Sequence, residues 1–363
     1  MKDPDRQRMP ALNAKEVLES LLLPTCWGSN QTIDLSRLQM TSEAVAVAEE
    51  FTEKLSEKLN QRPSRLYRLA TGTPVPYKIV PARIRNLLMR TKTKDTRIAL
   101  TDRLRLEQIR TRFLDAVHLK YEANQHGHIC LLSHDVESER GLRRALRLKQ
   151  IEEKRDVHST WFLPSDEYVL NRNLVRRLAE NGEVASHGTT HDGRLHNLPR
   201  EEAAEELRKG KEKLEEIVER EITGFRSPLL QYNWTILRAV SEAGYKYDSS
   251  MPTWEPVHPM TMRPDGIELL GPIKLSGILE IPITLPQDYQ MLHILKLTPK
   301  QTVGRWVQLM DEVASLGGAS VLLIHPDYEF ASNENLEHYD ELLELGSNMG
   351  TLGEAASRSG QQG

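Results

Sequence analysis

The sequence has few cysteines, with only Cys26 and Cys130 among its 363 residues. Two isolated cysteines give neither the spacing of a cysteine metal site nor a disulfide framework. No apolar run approaches the length that is needed to cross a bilayer. The first residues do not have the charge and apolar pattern of a signal peptide, and the three leucines before Pro24 are too few for a lipoprotein signal. We therefore expect a cytoplasmic protein with no membrane span.

The composition is that of a globular protein, with 39% hydrophobic and 28% charged residues. The net charge of −4 is unevenly spread, because residues 61–120 hold 15 Lys and Arg against 4 Asp and Glu. This basic segment could dock on the acidic remainder of the chain, or it could contact an anionic partner. We do not expect a nucleic acid as that partner.

The chain divides by pattern into three parts. Residues 1–120 carry no functional motif and predict a mainly helical extension of unknown role, with an amphipathic helix over residues 41–60. Residues 121–346 alternate between strand and helix patterns, which predicts an α/β domain of parallel strands covered by helices. Residues 347–363 are rich in Gly, Ser and Gln and predict a disordered tail.

Two histidines stand at the centre of the predicted domain. An apolar run ends at His187, and His191 follows four residues later. Gly188 and the two threonines between the histidines disfavour a helix, so we expect a strand that runs into a tight loop. Two neutral imidazoles and one carboxylate make a divalent-metal site that leaves positions open for water and substrate.

Polar side chains follow the ends of other predicted strands. Asp135 and Glu137 end the first strand and project to the same side, because side chains alternate along a strand. One carboxylate would complete the ligand set, and the other could take a proton from water. Arg226, Asp248 and His325 end later strands. Because barrel enzymes gather their catalytic groups at this end of the strands, we expect one shared site.

Each of these residues also has a purely structural interpretation. His187 and His191 could be hydrogen-bonded loop histidines, and Arg226 could cover the barrel rim with its aliphatic stem. Asp248 could cap a helix, or it could pair with Arg226 or His325. His325 could be structural, although at the rim it is a natural general acid for a leaving amine. The common position of all five at strand ends favours a metal site.

Together these residues resemble the polysaccharide deacetylase family, also called the NodB-homology domain or carbohydrate esterase family 4. The resemblance covers roughly residues 125–330. It rests on five motifs in order, which are Ser133-His134-Asp135-Val136-Glu137, His187-Gly188-Thr189-Thr190-His191, Arg226-Ser227-Pro228, Tyr247-Asp248-Ser249-Ser250 and Leu322-Leu323-Ile324-His325-Pro326. It implies a distorted (β/α) barrel of about seven units. It also implies metal-dependent removal of acetyl from an N-acetylated sugar or polysaccharide, most often with zinc.

The resemblance also implies a role for each matching residue. Asp135 matches the general base, Arg226 the residue that orients it, and His325 the general acid. His187 and His191 match metal ligands. In the binding of substrate, Leu322 matches the wall of the acetyl pocket and the backbone N–H of Leu229 the oxyanion donor.

The chain departs from the usual family pattern in two places. Adjacent aspartates are usual where this chain has Asp135-Val136-Glu137, so the metal carboxylate is Glu137 by elimination or Asp135 itself. An aromatic residue is usual after Pro228, where this chain has Leu229. The first departure also resembles family branches that hydrolyse cyclic amides or ureides. Both departures leave open a non-catalytic carbohydrate-binding protein on a degenerate barrel.

Overall fold

The computed structural model describes residues 14–26, 38, 40–60, 104–119, 129–255, 266–346 and 349–360. The strands in these residues are β1 (Cys130–Asp135), β2 (Thr160–Leu163), β3 (Glu183–Ser186), β4 (Gly224–Phe225), β5 (Tyr247–Asp248), β6 (Ile273–Leu275), β7 (Ile278–Glu280), β8 (Ser320–Ile324) and β9 (Met349–Gly350). The longer helices are α1 (Ala14–Cys26), α2 (Ser42–Asn60), α3 (Arg105–Ala116), α4 (Glu139–Lys154), α5 (Arg172–Ala179), α6 (Arg200–Val218), α7 (Trp234–Glu242), α8 (Pro299–Ser315), α9 (Leu336–Leu345) and α10 (Leu352–Gly360). Each helix in these ranges is too short or too polar to span a bilayer.

The strands form one curled sheet in the order β6-β7-β5-β4-β3-β2-β1-β8, with β9 paired to the start of β1. Every pair is parallel except the hairpin β6–β7. The chain beyond β7 reaches the far edge of the sheet, where the amide of Leu285 donates to the carbonyl of Val321 at 3.2 Å. The predicted distorted (β/α) barrel is thereby confirmed.

Alternate side chains of each strand point into the barrel or outward to the helices. The inward side chains form one apolar cluster, whose members include Leu131, Phe162, Ala185, Tyr247, Ile281 and Val321. Their neighbours Leu132, Trp161 and Leu322 belong instead to the larger core under the helices. This alternation decides which side chains at the strand ends reach the mouth of the barrel.

Polar caps begin several of the covering helices. Ser138 accepts a hydrogen bond from the amide of Gly141 at the start of α4, and Asn233 accepts one from the amide of Ile236 at the start of α7. Thr298 and Gln301 form a reciprocal capping box at the start of α8. Such side chains satisfy amides that have no partner inside the helix, which explains why the helices begin there.

The N-terminal helices pack on the edge of the sheet at the β6–β7 hairpin. Ser20 of α1 exchanges hydrogen bonds with the backbone of Lys274 in β6. Arg110 of α3 is fully buried, pairs with Glu107 at 3.1 Å and donates to the carbonyl of Pro272. These contacts cover an exposed edge that would otherwise offer unpaired backbone groups.

The mainly helical extension agrees with the prediction, including the helix predicted over 41–60, but most of the basic segment 61–120 lies outside the described residues.

The predicted disordered tail is wrong for residues 349–360, which form β9 and α10. Leu352 and Ala355 are buried in the inward apolar cluster, where they close the floor of the barrel. The carboxylate of Glu183 accepts from the amide of Gly353 at 2.8 Å, at the positive end of α10. Composition misled the prediction because two apolar side chains and one carboxylate are enough to anchor so short a segment.

Candidate active site

The two predicted histidines and Glu137 lie together at the carboxyl end of the strands. One ligand atom from each of Glu137, His187 and His191 lies within 4.8 Å of the others. Glu137 Oε1 is 2.9 Å from His191 Nε2, and the two imidazole centroids are 5.4 Å apart. Gly188 makes the turn between the histidines with φ of 74°, and a Cβ there would lie 3.3 Å from Pro228. The predicted strand and tight loop are found.

Hydrogen bonds orient His187 for coordination. Its Nδ1–H donates to the carbonyl of Arg226 at 2.9 Å, so Nε2 carries the lone pair. Nε2 is buried and has no hydrogen-bond partner within the described part of the chain. Burial, followed by the charge of His191, lowers the pKa of His187 to about 4 despite the opposing charges of Asp135 and Glu137. His187 is therefore a neutral imidazole. The lone pair of its Nε2 points into the cluster without a partner, as in a histidine that binds a metal.

Glu137 remains ionised although the rings largely enclose it, with 24% of its side chain exposed. Burial would raise its pKa, but the charge and hydrogen bond of His191 hold the pKa well below its usual value. The loop of His191 is fixed in turn, because its backbone amide donates to Glu167 Oε2 at 2.7 Å. One carboxylate and two imidazoles suit a divalent cation, and these three residues fit one.

Asp135 is held by Arg226 on one side of this cluster. Asp135 Oδ1 accepts from Arg226 Nη1 at 2.9 Å, and Asp135 Oδ2 lies 3.8 Å from His187 Nε2. Arg226 is fully buried, also donates to Ser133 and Ser249, and lies over the ring of Phe162. Burial would raise the pKa of Asp135, but the guanidinium lowers it below its usual value. Of the two candidate carboxylates, Glu137 lies with the histidines, and Asp135 keeps one oxygen open beside them.

His325 lies across the cluster from Asp135 and is held by Asp288. Its Nδ1 lies 2.7 Å from Asp288 Oδ1, and its backbone amide donates to Asp288 Oδ2 at 2.8 Å. Its Nε2 is 3.7 Å from Glu137 Oε1. Burial disfavours the charged imidazole, but the carboxylates, Asp288 first, raise the pKa of His325 to about 10. A cation held by Glu137 would lower this pKa, because like charges repel.

Asp288 is a site residue that the strand pattern does not predict. It lies eight residues past the end of β7, beyond the strand ends where polar residues were sought. In the sequence Asp288 follows Leu285, Pro286 and Gln287, a stretch that gives no sign of its burial. The structure buries Asp288 fully, and a buried carboxylate requires a partner such as His325.

Two predicted site residues point away from the mouth of the barrel. Asp248 follows the inward Tyr247 and therefore points outward, where it accepts from Ser250. Burial raises its pKa to about 6. Among the described residues it forms no ion pair with Arg226 or His325, so that alternative is not observed, and a catalytic role for Asp248 at the mouth is not supported by its position.

Leu322 likewise belongs to the core under the helices and does not line the mouth of the barrel. Leu323 occupies the inward position, where it packs with Leu230 and Ile283. The pocket wall was assigned one residue too early along β8.

The chain is strained where it passes the site after Pro228. Leu229 and Leu230 have φ of 57° and 48°, in the left-handed region that residues with a Cβ rarely adopt. Each such residue costs on the order of 1–3 kcal/mol, and strain of this kind is concentrated at functional sites. The predicted oxyanion donor, Leu229, is therefore in an unusual conformation that the surrounding structure enforces.

Comparisons with known proteins agree with this architecture. Residues 143–247 match the model of the family described as polysaccharide deacetylase. A protein from Mycobacterium smegmatis described as a polysaccharide deacetylase is 19% identical, with a TM-score of 0.53 over 65% of this chain and 92% of that chain. That likeness shows a shared fold.

Two further solved structures are similar at lower scores. A carbohydrate esterase family 4 pseudoenzyme from Bacillus anthracis is 16% identical, with a TM-score of 0.41 over 63% of this chain and 67% of its own. A family 4 carbohydrate esterase from Streptomyces lividans is 15% identical, with a TM-score of 0.41 over 61% of this chain and 90% of its own. No curated protein matches the sequence. Residues 143–247 are therefore similar to the polysaccharide deacetylase family, and the sheet that contains them has the fold of the Mycobacterium smegmatis protein.

Proposed function

We propose that this protein is a metal-dependent hydrolase that removes the acetyl group from the nitrogen of an N-acetylated sugar or polysaccharide. One observation carries the proposal. The group Glu137, His187 and His191 lies between an arginine-held aspartate, Asp135, and a carboxylate-held histidine, His325. A base on one side of a ligand set and an acid on the other are what amide hydrolysis requires.

The residues divide the chemistry between them. Glu137, His187 and His191 would hold a divalent cation, which when bound would lower the pKa of a water molecule and polarise an acyl carbonyl. Asp135 accepts the proton of the attacking water at its open oxygen, and Arg226 keeps Asp135 ionised and directed. His325 donates a proton to the departing nitrogen, and Asp288 keeps His325 charged until that step. We favour zinc, because two histidines and one glutamate are a common catalytic zinc set.

Further contacts favour a sugar amide as the substrate. The inward apolar group of Leu230, Ile283 and Leu323 could receive a methyl group. The ring of Tyr328 lies 5.0 Å from that of His325, and Tyr289 lies 5.6 Å from Tyr328. Half-buried aromatic rings beside a catalytic centre offer a face to the C–H groups of a pyranose ring and a polar tip to its hydroxyls.

The test combines metal content with hydrolysis. We expect purified protein to contain about one divalent ion per chain, since the described residues hold one ligand group, and to release acetate from N-acetylglucosamine oligomers. His187→Ala and His191→Ala should lose both metal and activity, whereas His158→Ala, at a half-exposed histidine outside the ligand group, should lose neither. Full metal content in either site variant would show that the ligand assignment is wrong.

A second candidate is the hydrolysis of a cyclic amide or ureide, which the spacing of Asp135 and Glu137 favours through the resemblance. The same preparation should be offered a five-membered cyclic ureide beside the sugar oligomers. Ring opening without acetate release would replace the deacetylase proposal while retaining the metal site. Metal-free protein that binds the oligomers without cleaving them would support a carbohydrate-binding module.

A further inference from the structure

One buried carboxylate connects the loop that carries the proposed acid to the loop that carries a proposed metal ligand. Asp327 lies two residues after His325 and is 8% exposed. Its Oδ2 accepts from the backbone amide of Glu137 at 3.0 Å, and its Oδ1 accepts from the hydroxyl of Ser138. The metal cluster and the acid are thus connected through a side chain that belongs to neither.

The connection extends to the backbone around Asp327. Arg140 and Arg144, on the first turns of α4, both donate to the carbonyl of Asp327 at 3.2 Å. On the other side of Glu137, the amide of Val136 donates to Phe162 and the carbonyl of Val136 accepts from Tyr168. Glu137 lies beyond the end of β1, where no strand pairing holds it. Its backbone position therefore depends on these side contacts.

Gly141 gives a second, independent indication. It lies in the first turn of α4, where alanine would favour the helix by about 1 kcal/mol. A Cβ at this position would lie only 2.3 Å from Asp327 Oδ2 and 2.7 Å from its Cγ. The absence of a side chain at Gly141 thus makes room for the Asp327 carboxylate.

We propose that Asp327 is a positioning residue, which sets the location of the metal ligand Glu137 relative to His325 by holding the Glu137 amide. The inference rests on the proposed metal site. It concerns a residue that touches neither metal nor substrate, and it predicts an effect on metal affinity. Removing a residue that orients a metal ligand through a hydrogen bond typically lowers metal affinity or activity by about 10–100-fold.

The experiment measures zinc affinity by competition with a chelator, together with the melting temperature of the metal-free protein. Asp327→Ala should weaken zinc binding about 10–100-fold. Asp327→Asn should stay within about threefold of wild type, because an amide oxygen can still accept from the Glu137 amide. Ser138→Ala is the matched control, because it removes the helix cap and the other contact of Asp327 but leaves the Glu137 contact. It should lower the melting temperature and leave zinc affinity within about threefold.

A merely structural role for Asp327 would give a different pattern. Asp327→Ala and Ser138→Ala would then both lower the melting temperature, and neither would change zinc affinity. That result would overturn the proposal while the proposed function stands. If the wild-type protein binds no zinc, the proposed function and this inference fail together.

Gly141→Ala tests the same contact without removing the carboxylate, and its wild-type arm needs no Asp327 variant to fold; unchanged zinc affinity there would also contradict the inference. In the wild-type background the added methyl should displace Asp327 and weaken zinc binding by about 10-fold or more, as expected for residues of this kind. In the Asp327→Asn background, whose side chain has the same shape, a similar loss is expected. In the Asp327→Ala background the methyl meets no carboxylate and should have no effect. An equal effect of Gly141→Ala in all three backgrounds would contradict the inference.

Discussion

Replacing Arg226 by leucine should destabilise the protein by about 3–5 kcal/mol, because it leaves the Asp135 carboxylate buried without a partner. The magnitude follows from the contacts. Arg226 is fully buried, and its Nη1 lies 2.9 Å from Asp135 Oδ1, a separation worth about 6 kcal/mol at an effective dielectric of ~20 before desolvation is subtracted. The guanidinium also donates to Ser133 and Ser249.

The measurement is urea unfolding, with the change in free energy taken from the midpoint at an unchanged slope. The control is Arg112→Leu. Arg112 makes a two-bond ion pair with Glu50, but their side chains are 56% and 39% exposed. An exposed pair contributes about 0–1 kcal/mol, so this variant should stay close to wild type.

A double variant separates the lost charge partner from lost packing. Asp135→Asn removes the charge that Arg226→Leu leaves unpaired, so the double variant should be more stable than Arg226→Leu alone by at least about 1 kcal/mol. Two results would show that Arg226 is not the stabilising partner of a buried carboxylate. Arg226→Leu could lower the free energy of unfolding no more than Arg112→Leu does, or adding Asp135→Asn could fail to restore any of the stability that Arg226→Leu loses.

The remaining predictions concern the acid and the pocket wall. The pKa of His325 is raised to about 10 from 6.5, so its charged form contributes stability that is present below pH ~6.5 and is lost as the pH rises towards 10. Asp288→Asn removes most of that contribution, and the difference in melting temperature between it and wild type, both metal-free, should shrink over this pH range. For the wall, Leu323→Ala should raise KM for the acetylated substrate, whereas Leu322→Ala should cost about 2–5 kcal/mol of stability and leave KM unchanged. The reverse pattern would show that the inward face of β8 is misassigned.

Much of the site could be predicted from the sequence because parallel strands end at one edge of a barrel. His187, Arg226 and His325 were placed by that rule alone, and the structure brings them together. The strand–helix alternation likewise predicted the order of the elements. The first strand of the β6–β7 hairpin was not predicted.

Other parts could not be predicted because they depend on register and on loops. Asp248 and Leu322 were each placed on the wrong face, and a shift of one residue along a strand is enough to turn a side chain from the mouth to the helix layer. Asp288 lies outside the strands, so the alternation of side chains along a strand does not predict where its carboxylate points. The left-handed conformation of Leu229 is enforced by its surroundings, and no local residue preference predicts it.

Carboxylates at the two ends of the barrel have opposite pKa shifts. At the floor, the carboxylate of Glu183 accepts from Thr160 and Tyr247 and anchors α10, and burial raises its pKa. At the mouth, Glu137 and Asp135 are held ionised by histidine and arginine. The difference lies in the partners, since neutral donors surround the floor carboxylate, whereas imidazole and guanidinium groups lie beside those at the mouth. These partners lower the pKa of the carboxylates at the mouth, while the pKa of Glu183 stays raised.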